Sequence, residues 1–197
     1  MDIGYYESVT LLLVSIVLLI VLSIVFVSWR NGISPMPTSL KVRQVVGEEV
    51  KRLYGWNSGL IVEAGSGWGT LGIHVAKQCR NCKVVGIENS PIPLWVSQLL
   101  AWLTFGVHPK QSSASSTYSS VTFRKGNIYT YPYANADLVI CYLYPGAMKR
   151  LSPIFHEQLA PGAQIISVCF ALPDWEPEKV ITCKDFYRTQ VYVYTVK

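Results

Sequence analysis

Gly59-Leu60-Ile61-Val62-Glu63-Ala64-Gly65-Ser66-Gly67-Trp68-Gly69 is the stretch that decides the fold. Its first half is a short apolar run of the kind that forms a strand buried on both faces. Its second half has glycine at alternate positions, where a tight turn or a close backbone approach needs no Cβ. A strand that turns through glycines into a helix brings backbone N–H groups and a helix N-terminus near a ligand, which suits a nucleotide-like molecule. The spacing is G-x-G-x-G with no Lys-Ser/Thr pair after it, so a P-loop is excluded and a dinucleotide fingerprint fits imperfectly.

The acid two positions before Gly65 narrows the ligand. A carboxylate at Glu63 suits a molecule that is cationic at this end, such as the amino-acid moiety of S-adenosylmethionine, and opposes a pyrophosphate. Glu88 then closes the next apolar run, Lys83 to Glu88, 23 residues after Gly65. At the tip of a second strand it would accept hydrogen bonds from ribose hydroxyls, a role common to NAD and S-adenosylmethionine sites. Taken alone, Glu88 would equally be an ordinary exposed strand-end acid; the interval from the glycine turn favours the ligand role.

Outward from this centre, strand-like and helix-like stretches alternate as a doubly wound sheet requires. A helix is expected from about Ser39 to Tyr54, another from Trp68 to Gln78, a third from Pro91 to Phe105 and a fourth from Ala147 to Gln158. Strands are expected at Val121 to Lys125 and Asp137 to Cys141. Gln164 to Phe170, Lys179 to Cys183 and Gln190 to Val196 read as three more strands with little room for helix between them, the last two as an antiparallel hairpin. The expected fold is therefore α/β: a doubly wound, mostly parallel seven-stranded sheet ending in an antiparallel hairpin.

Ahead of it, Val9 to Trp29 carries no charge over 21 residues, which as a helix would span about 31 Å, close to the hydrocarbon thickness of a bilayer. A signal peptide would have a positive start, whereas Met1 to Ser8 holds Asp2 and Glu7 and no Lys or Arg. We therefore expect a transmembrane anchor over residues 1–30, a linker over 31–38 and one catalytic-size domain over 39–197. Arg30, Lys41 and Arg43 place that domain on the cytoplasmic or equivalent side.

The remaining features weigh less. Beyond residue 34 there are 16 Lys and Arg against 10 Asp and Glu, a surplus suited to a surface beside anionic lipid. No basic run longer than two residues concentrates it for nucleic acid. Five cysteines in a cytoplasm-facing domain argue against a disulfide framework, and the lone C-x-x-C of Cys79 and Cys82 lacks the second pair of a zinc site, so no metal is expected. Gln111 to Ser120 is a serine-rich loop. His74, His108 and His156 read as structural or exposed.

VEAGSGWG, VVGIENSP, FRKGNIYTYP, NADLVICYLYP and LAPGAQIISVCFALPDWEP follow one another in the order of the motifs of class I S-adenosylmethionine-dependent methyltransferases. The chain most closely resembles the membrane-anchored protein lysine methyltransferases, whose eukaryotic members act in mitochondria. These also pair an N-terminal hydrophobic segment with a P-x-P-T stretch, here Pro35 to Thr38. The resemblance spans about residues 30–197. It implies S-adenosyl-L-methionine as cofactor, a lysine of a membrane or membrane-proximal protein as acceptor, and no nucleic-acid substrate, since the Asn/Asp-Pro-Pro-Tyr/Phe signature is missing; the alternatives are methylation of a small or lipid molecule and a non-catalytic cofactor-binding scaffold, which the departures at Trp68 and Asn127 keep open.

It further implies cofactor contacts at Glu63, Gly65, Ser66, Gly67, Gly69, Glu88, Asn89, Asn127 and Ile128, with Asn127 near the adenine. Asn127 stands where the family commonly has Asp, and Trp68 where it commonly has an acid. Tyr142 and Tyr144, after the fourth strand, lie where related enzymes place substrate-facing residues. They would hold an amine by hydrogen bonding and through the aromatic face; the alternative for either is packing beneath the cofactor.

Overall fold

The computed structural model describes residues 3–31, 38–54, 58–79, 81–106 and 120–197. Most of the expected linker, the serine tract before Ser120 and His108 lie outside them. The chain divides into two compact units, Met1–Met36 and Pro37–Lys197.

The first unit is one helix, α1 (Ile3–Asn31). Within it Tyr6–Ser23 has a mean hydropathy of 2.3 and none of its residues is buried. Ser8 and Thr10 turn their hydroxyls back to the carbonyls of Gly4 and Tyr6, which leaves less unsatisfied polarity on an apolar surface.

In the second unit, α2 (Leu40–Tyr54), α3 (Thr70–Gln78), α4 (Pro91–Phe105) and α5 (Pro145–Gln158) accompany seven strands. These are β1 (Gly59–Ala64), β2 (Cys82–Glu88), β3 (Ser120–Lys125), β4 (Leu138–Cys141), β5 (Gln164–Val168), β6 (Lys179–Thr182) and β7 (Gln190–Thr195). They form one sheet in the order β3-β2-β1-β4-β5-β7-β6. The first five run parallel, and β7 pairs antiparallel with both β5 and β6. The expected α/β class and closing hairpin are what the chain adopts.

The core follows from the sequence. Ile61, Val62, Val84, Leu138, Ile140, Ile165 and Ile166 are buried to within 1% exposure, as strands covered on both faces demand. α2 buries Val42, Val46 and Val50, one side of a helix. At Gly47 a Cβ would stand 2.9 Å from His74 Nε2, so glycine lets α2 and α3 cross closely. His74 is half-buried in that crossing and burial holds its pKa below the usual value, in keeping with a structural role. At the far edge, buried Glu49 of α2 binds Arg52 at 2.6 Å and Lys179 of β6 at 2.9 Å.

Three element ends differ from the sequence expectation for backbone reasons. The helix expected from Trp68 starts at Thr70, because Gly69 takes φ 73° and leaves Trp68 in the turn. The fourth helix starts at Pro145 rather than Ala147, since the proline ring presets the helical φ at the first position. The strand expected to reach Phe170 ends at Val168, where Cys169 turns to φ 75°. A fourth difference is covalent: Cys79 and Cys82 are joined as a disulfide, which closes the short connection from α3 into β2, while Cys141, Cys169 and Cys183 are free.

Candidate active site

β1 lies between β2 and β4, so the strand order reverses at its carboxyl end, the place where open α/β sheets bind ligands. The glycine turn sits there. Gly65, Gly67 and Gly69 all take positive φ, at 75°, 51° and 73°. A Cβ at Gly65 would fall 2.6 Å from Leu143 Cδ2 and one at Gly69 would fall 2.6 Å from Ser97 Cβ, whereas one at Gly67 would meet nothing within 4 Å. Two glycines are thus required by packing, and the middle one borders open space.

The N–H groups of Gly65, Ser66, Gly67 and Gly69 are engaged inside the protein. Gly65 and Ser66 both donate to the Ile87 carbonyl at 3.0 Å, Gly69 donates to Ser66 O at 2.8 Å, and Gly67 donates to Glu88 Oε2 at 2.7 Å. A phosphate-binding nest needs such groups free and convergent. This turn offers no nest, and a carboxylate stands in its mouth. The arrangement fits a ligand without phosphate, which is the chemistry of S-adenosylmethionine.

Glu88 is held by two backbone N–H groups, Gly67 on Oε2 and Ser90 on Oε1, both at 2.7 Å. Each oxygen keeps a lone pair for a ribose hydroxyl. Gly126 N–H donates to the Glu88 carbonyl at 3.0 Å and so brings the end of β3 alongside. Asn127 follows, exposed, its Oδ1 accepting the Tyr129 N–H at 3.0 Å. Asn89 is exposed beside Glu88, and Ile128 is half-buried, its carbonyl accepting the Tyr133 hydroxyl at 2.8 Å.

Glu63 takes a different position from the one its type suggests. Its side chain lies against α3, where a Cβ on Gly72 would come within 2.5 Å of Oε2, and the residue is 4% exposed. Burial pushes its pKa up to about 8, against a smaller opposing effect of the Gly72 N–H, so at neutral pH it is a carboxylic acid. Its Oε2 and the Ser66 hydroxyl are buried without a hydrogen-bond partner.

The region on the β4 side of the turn is aromatic. Leu143, which packs on Gly65, separates Tyr142 from Tyr144, so both predicted tyrosines flank the residue that touches the turn. Tyr142 is half-buried with Cys169 and Asp185 nearby, and burial raises its pKa. Tyr144 precedes α5, where its carbonyl accepts the N–H groups of Ala147 and Met148 at 3.0 and 3.1 Å. Its hydroxyl pairs with Tyr129, whose own pKa is raised by burial and by that bond. The Arg150 guanidinium lies 3.7 Å from the centre of the Tyr129 ring.

Tyr129, Arg150 and Asp185 are residues that the sequence reading missed. Tyr129 had a signal, being the first of the tyrosines at 129, 131 and 133 just after Asn127; Arg150, one helix later, had none. Trp175 stacks on His156 at 4.0 Å and donates to Ser152 Oγ at 3.1 Å, so the Pro173 to Pro177 stretch packs on α5. Among the described residues no cluster of three or more His, Cys, Asp or Glu is arranged to hold a metal ion.

Relatives bear on this geometry. The model of the ANTKMT methyltransferase domain matches residues 63–179. A mouse adenine nucleotide translocase lysine N-methyltransferase is 26% identical over 159 residues, covering 77% of this chain and 63% of the relative. The chain thus spans less than two thirds of that relative's length. A protein-lysine N-methyltransferase of Saccharolobus islandicus is 25% identical over 142 residues, 70% of this chain and 79% of its own. The solved structure of an RNA methyltransferase from Salinibacter ruber, in complex with S-adenosyl-L-homocysteine, superposes with a TM-score of 0.65 at 25% identity, over 82% of this chain and 94% of that one. The matched segment begins at Glu63, takes in the turn, Glu88 and both tyrosines, and ends as β6 begins; the chain belongs to the ANTKMT methyltransferase domain family, with S-adenosylmethionine as its cofactor.

Proposed function

We propose that this protein is a protein-lysine methyltransferase, held in a membrane by α1 with its second unit on the cytoplasmic or matrix-equivalent side, acting on a lysine of a membrane or membrane-proximal protein. The observation that carries the reading is Glu88, fixed by two N–H bonds in the mouth of a glycine turn that offers no phosphate nest. The two lysine-methylating relatives support the acceptor, and the 18-residue apolar span Tyr6–Ser23 supports the anchor.

When bound, S-adenosylmethionine supplies an electrophilic methyl group. The protein's part is alignment and desolvation. Glu63, Ser66, the glycines and Glu88 would hold the donor's two ends, with Asn89, Asn127 and Ile128 beside the adenine. A free lysine is protonated at neutral pH, with a pKa near 10.4, and must lose a proton to solvent water before it can attack. Tyr142 and Tyr144 would receive the amine: their rings favour its approach as a cation, and their hydroxyls orient it once deprotonated. Half-burial of both excludes part of the water that would otherwise hold the proton on nitrogen.

The test is methyl transfer from labelled S-adenosylmethionine by the full chain in membranes of a host that lacks it. Label should appear in protein and, after hydrolysis, as methyl-lysine. Label confined to lipid or to RNA would replace the acceptor assigned here.

A further inference from the structure

The connection between β6 and β7 carries a pair of exposed aromatics that the methyl-transfer site does not use. β7 runs antiparallel to β5 and to β6, so residues 183–189 lie at the sheet edge where β5 ends; Cys169, just past β5, donates to Gln190 O at 2.8 Å. That edge is the active-site rim. The connection reads Lys184-Asp185-Phe186-Tyr187-Arg188, and its two aromatics are 93% and 78% exposed, the rings meeting edge to face at 5.3 Å.

This tip is built, not loose. Asp185 accepts from Thr189 N and Thr189 Oγ1 at 2.7 and 2.6 Å, Arg188 N–H donates to Asp185 O at 3.1 Å, and Cys183 N–H donates to Thr189 O at 2.8 Å. The single acid of the tip is therefore turned inward onto its own loop. Lys184 and Arg188 are exposed on either side of the aromatics. A pair of large apolar rings held out between two cations, with the acid withdrawn, matches the aromatic and basic anchoring of proteins at a lipid interface.

The start of the second unit meets the same place. Lys41, in the first turn of α2, donates to the Lys184 carbonyl at 2.6 Å, and Thr38 is buried. Tyr54, at the other end of α2, binds Asp137 O just before β4, so α2 begins at the active-site rim and runs away from it. The second unit thus begins beside the exposed tip.

We propose that Phe186 and Tyr187 insert into the surface of the bilayer that holds α1, with Lys184 and Arg188 on anionic headgroups, and so turn the active-site rim toward the membrane. This rests on the anchoring proposed above. It makes the site selective for lysines presented at the lipid surface.

The test uses the full chain, with Tyr187→Trp, in phosphatidylcholine vesicles containing phosphatidylglycerol. The difference in emission between variant and parent isolates the new tryptophan. Lipid brominated along the upper acyl chain should quench it about twofold, as expected for side chains about 5–10 Å deep. Lys184→Glu with Arg188→Glu should relieve that quenching. Phe186→Trp repeats the measurement from the neighbouring position. Full acrylamide quenching without bromine quenching would place the tip in water and overturn the proposal. Shielding from both quenchers would mean a protein partner covers it, and would also overturn it. Flotation after an alkaline wash reads the anchor separately: a chain that floats with an unquenched tip loses only this inference, while a chain that does not float loses the anchor as well.

Discussion

The two halves of the sheet solve recognition in different materials. On the β2 side of the reversal point, the site is a rigid frame: three positive-φ glycines and N–H groups bonded to Ile87 and Glu88 fix two acids near adjoining strand ends. On the β4 side it is side chain: Tyr142, Tyr144, Tyr129 and Arg150, reached from loops and a helix start. A cofactor of one fixed shape suits side chains set in a frame that admits little substitution. The proposed acceptor suits groups that can change without disturbing the sheet. The comparison predicts that damage on the first side abolishes binding, and damage on the second spares binding and slows transfer.

The largest effect should come from Glu88→Ala. It removes the ribose acceptors and leaves the Gly67 and Ser90 N–H groups without partners, so S-adenosylmethionine affinity should fall about 100-fold by calorimetric titration. A change of less than about threefold would move the cofactor elsewhere on the sheet.

Glu63 sharpens the contrast within the backbone side, because its buried oxygen is matched by nothing in the protein. Its folded pKa of about 8 lies above its ordinary 4.5, so it keeps its proton through neutral pH. If it receives the cofactor's ammonium group as a carboxylate, binding must release that proton. Affinity should then rise from about pH 5.5 to 7.5 by up to about tenfold per unit, and Glu63→Gln should flatten the profile. The sign for stability is opposite: stability contributed by a raised pKa is present below pH 4.5 and lost as pH rises through about 8. Glu63→Gln should therefore remove a decline in urea midpoint across that window.

The smallest effect belongs to the acceptor side. Tyr144→Phe deletes one hydrogen bond, with Tyr129, and should lower kcat about fivefold with the cofactor Kd within about twofold. A cofactor affinity that fell with kcat would mean that Tyr144 packs beneath the donor instead.

Legibility in the sequence divides along the same line. Gly59 to Gly69 and Lys83 to Glu88 are contiguous, each carrying both its strand pattern and its special residue, so the turn and Glu88 could be read and placed. The closing hairpin was equally plain, because three strand-like runs left no space for a crossover helix. The acceptor side was legible only as two tyrosines after a strand. Tyr129 and Arg150 meet because β3 and α5 are brought to one rim, and no local pattern spells a pairing across 21 residues.

By itself the sequence determined what short-range physics dictates: the period of the strands and helices, the need for glycine at the turn, the charge-free span of α1 and the order of the βα units. Tertiary structure alone decided which groups lose water. That turned Glu63 from the expected carboxylate into a neutral acid under α3, satisfied the turn's own N–H groups, and left Phe186 and Tyr187 outside. Protonation and exposure depend on what else arrives at the same point in space, and the residues that arrive come from distant parts of the chain.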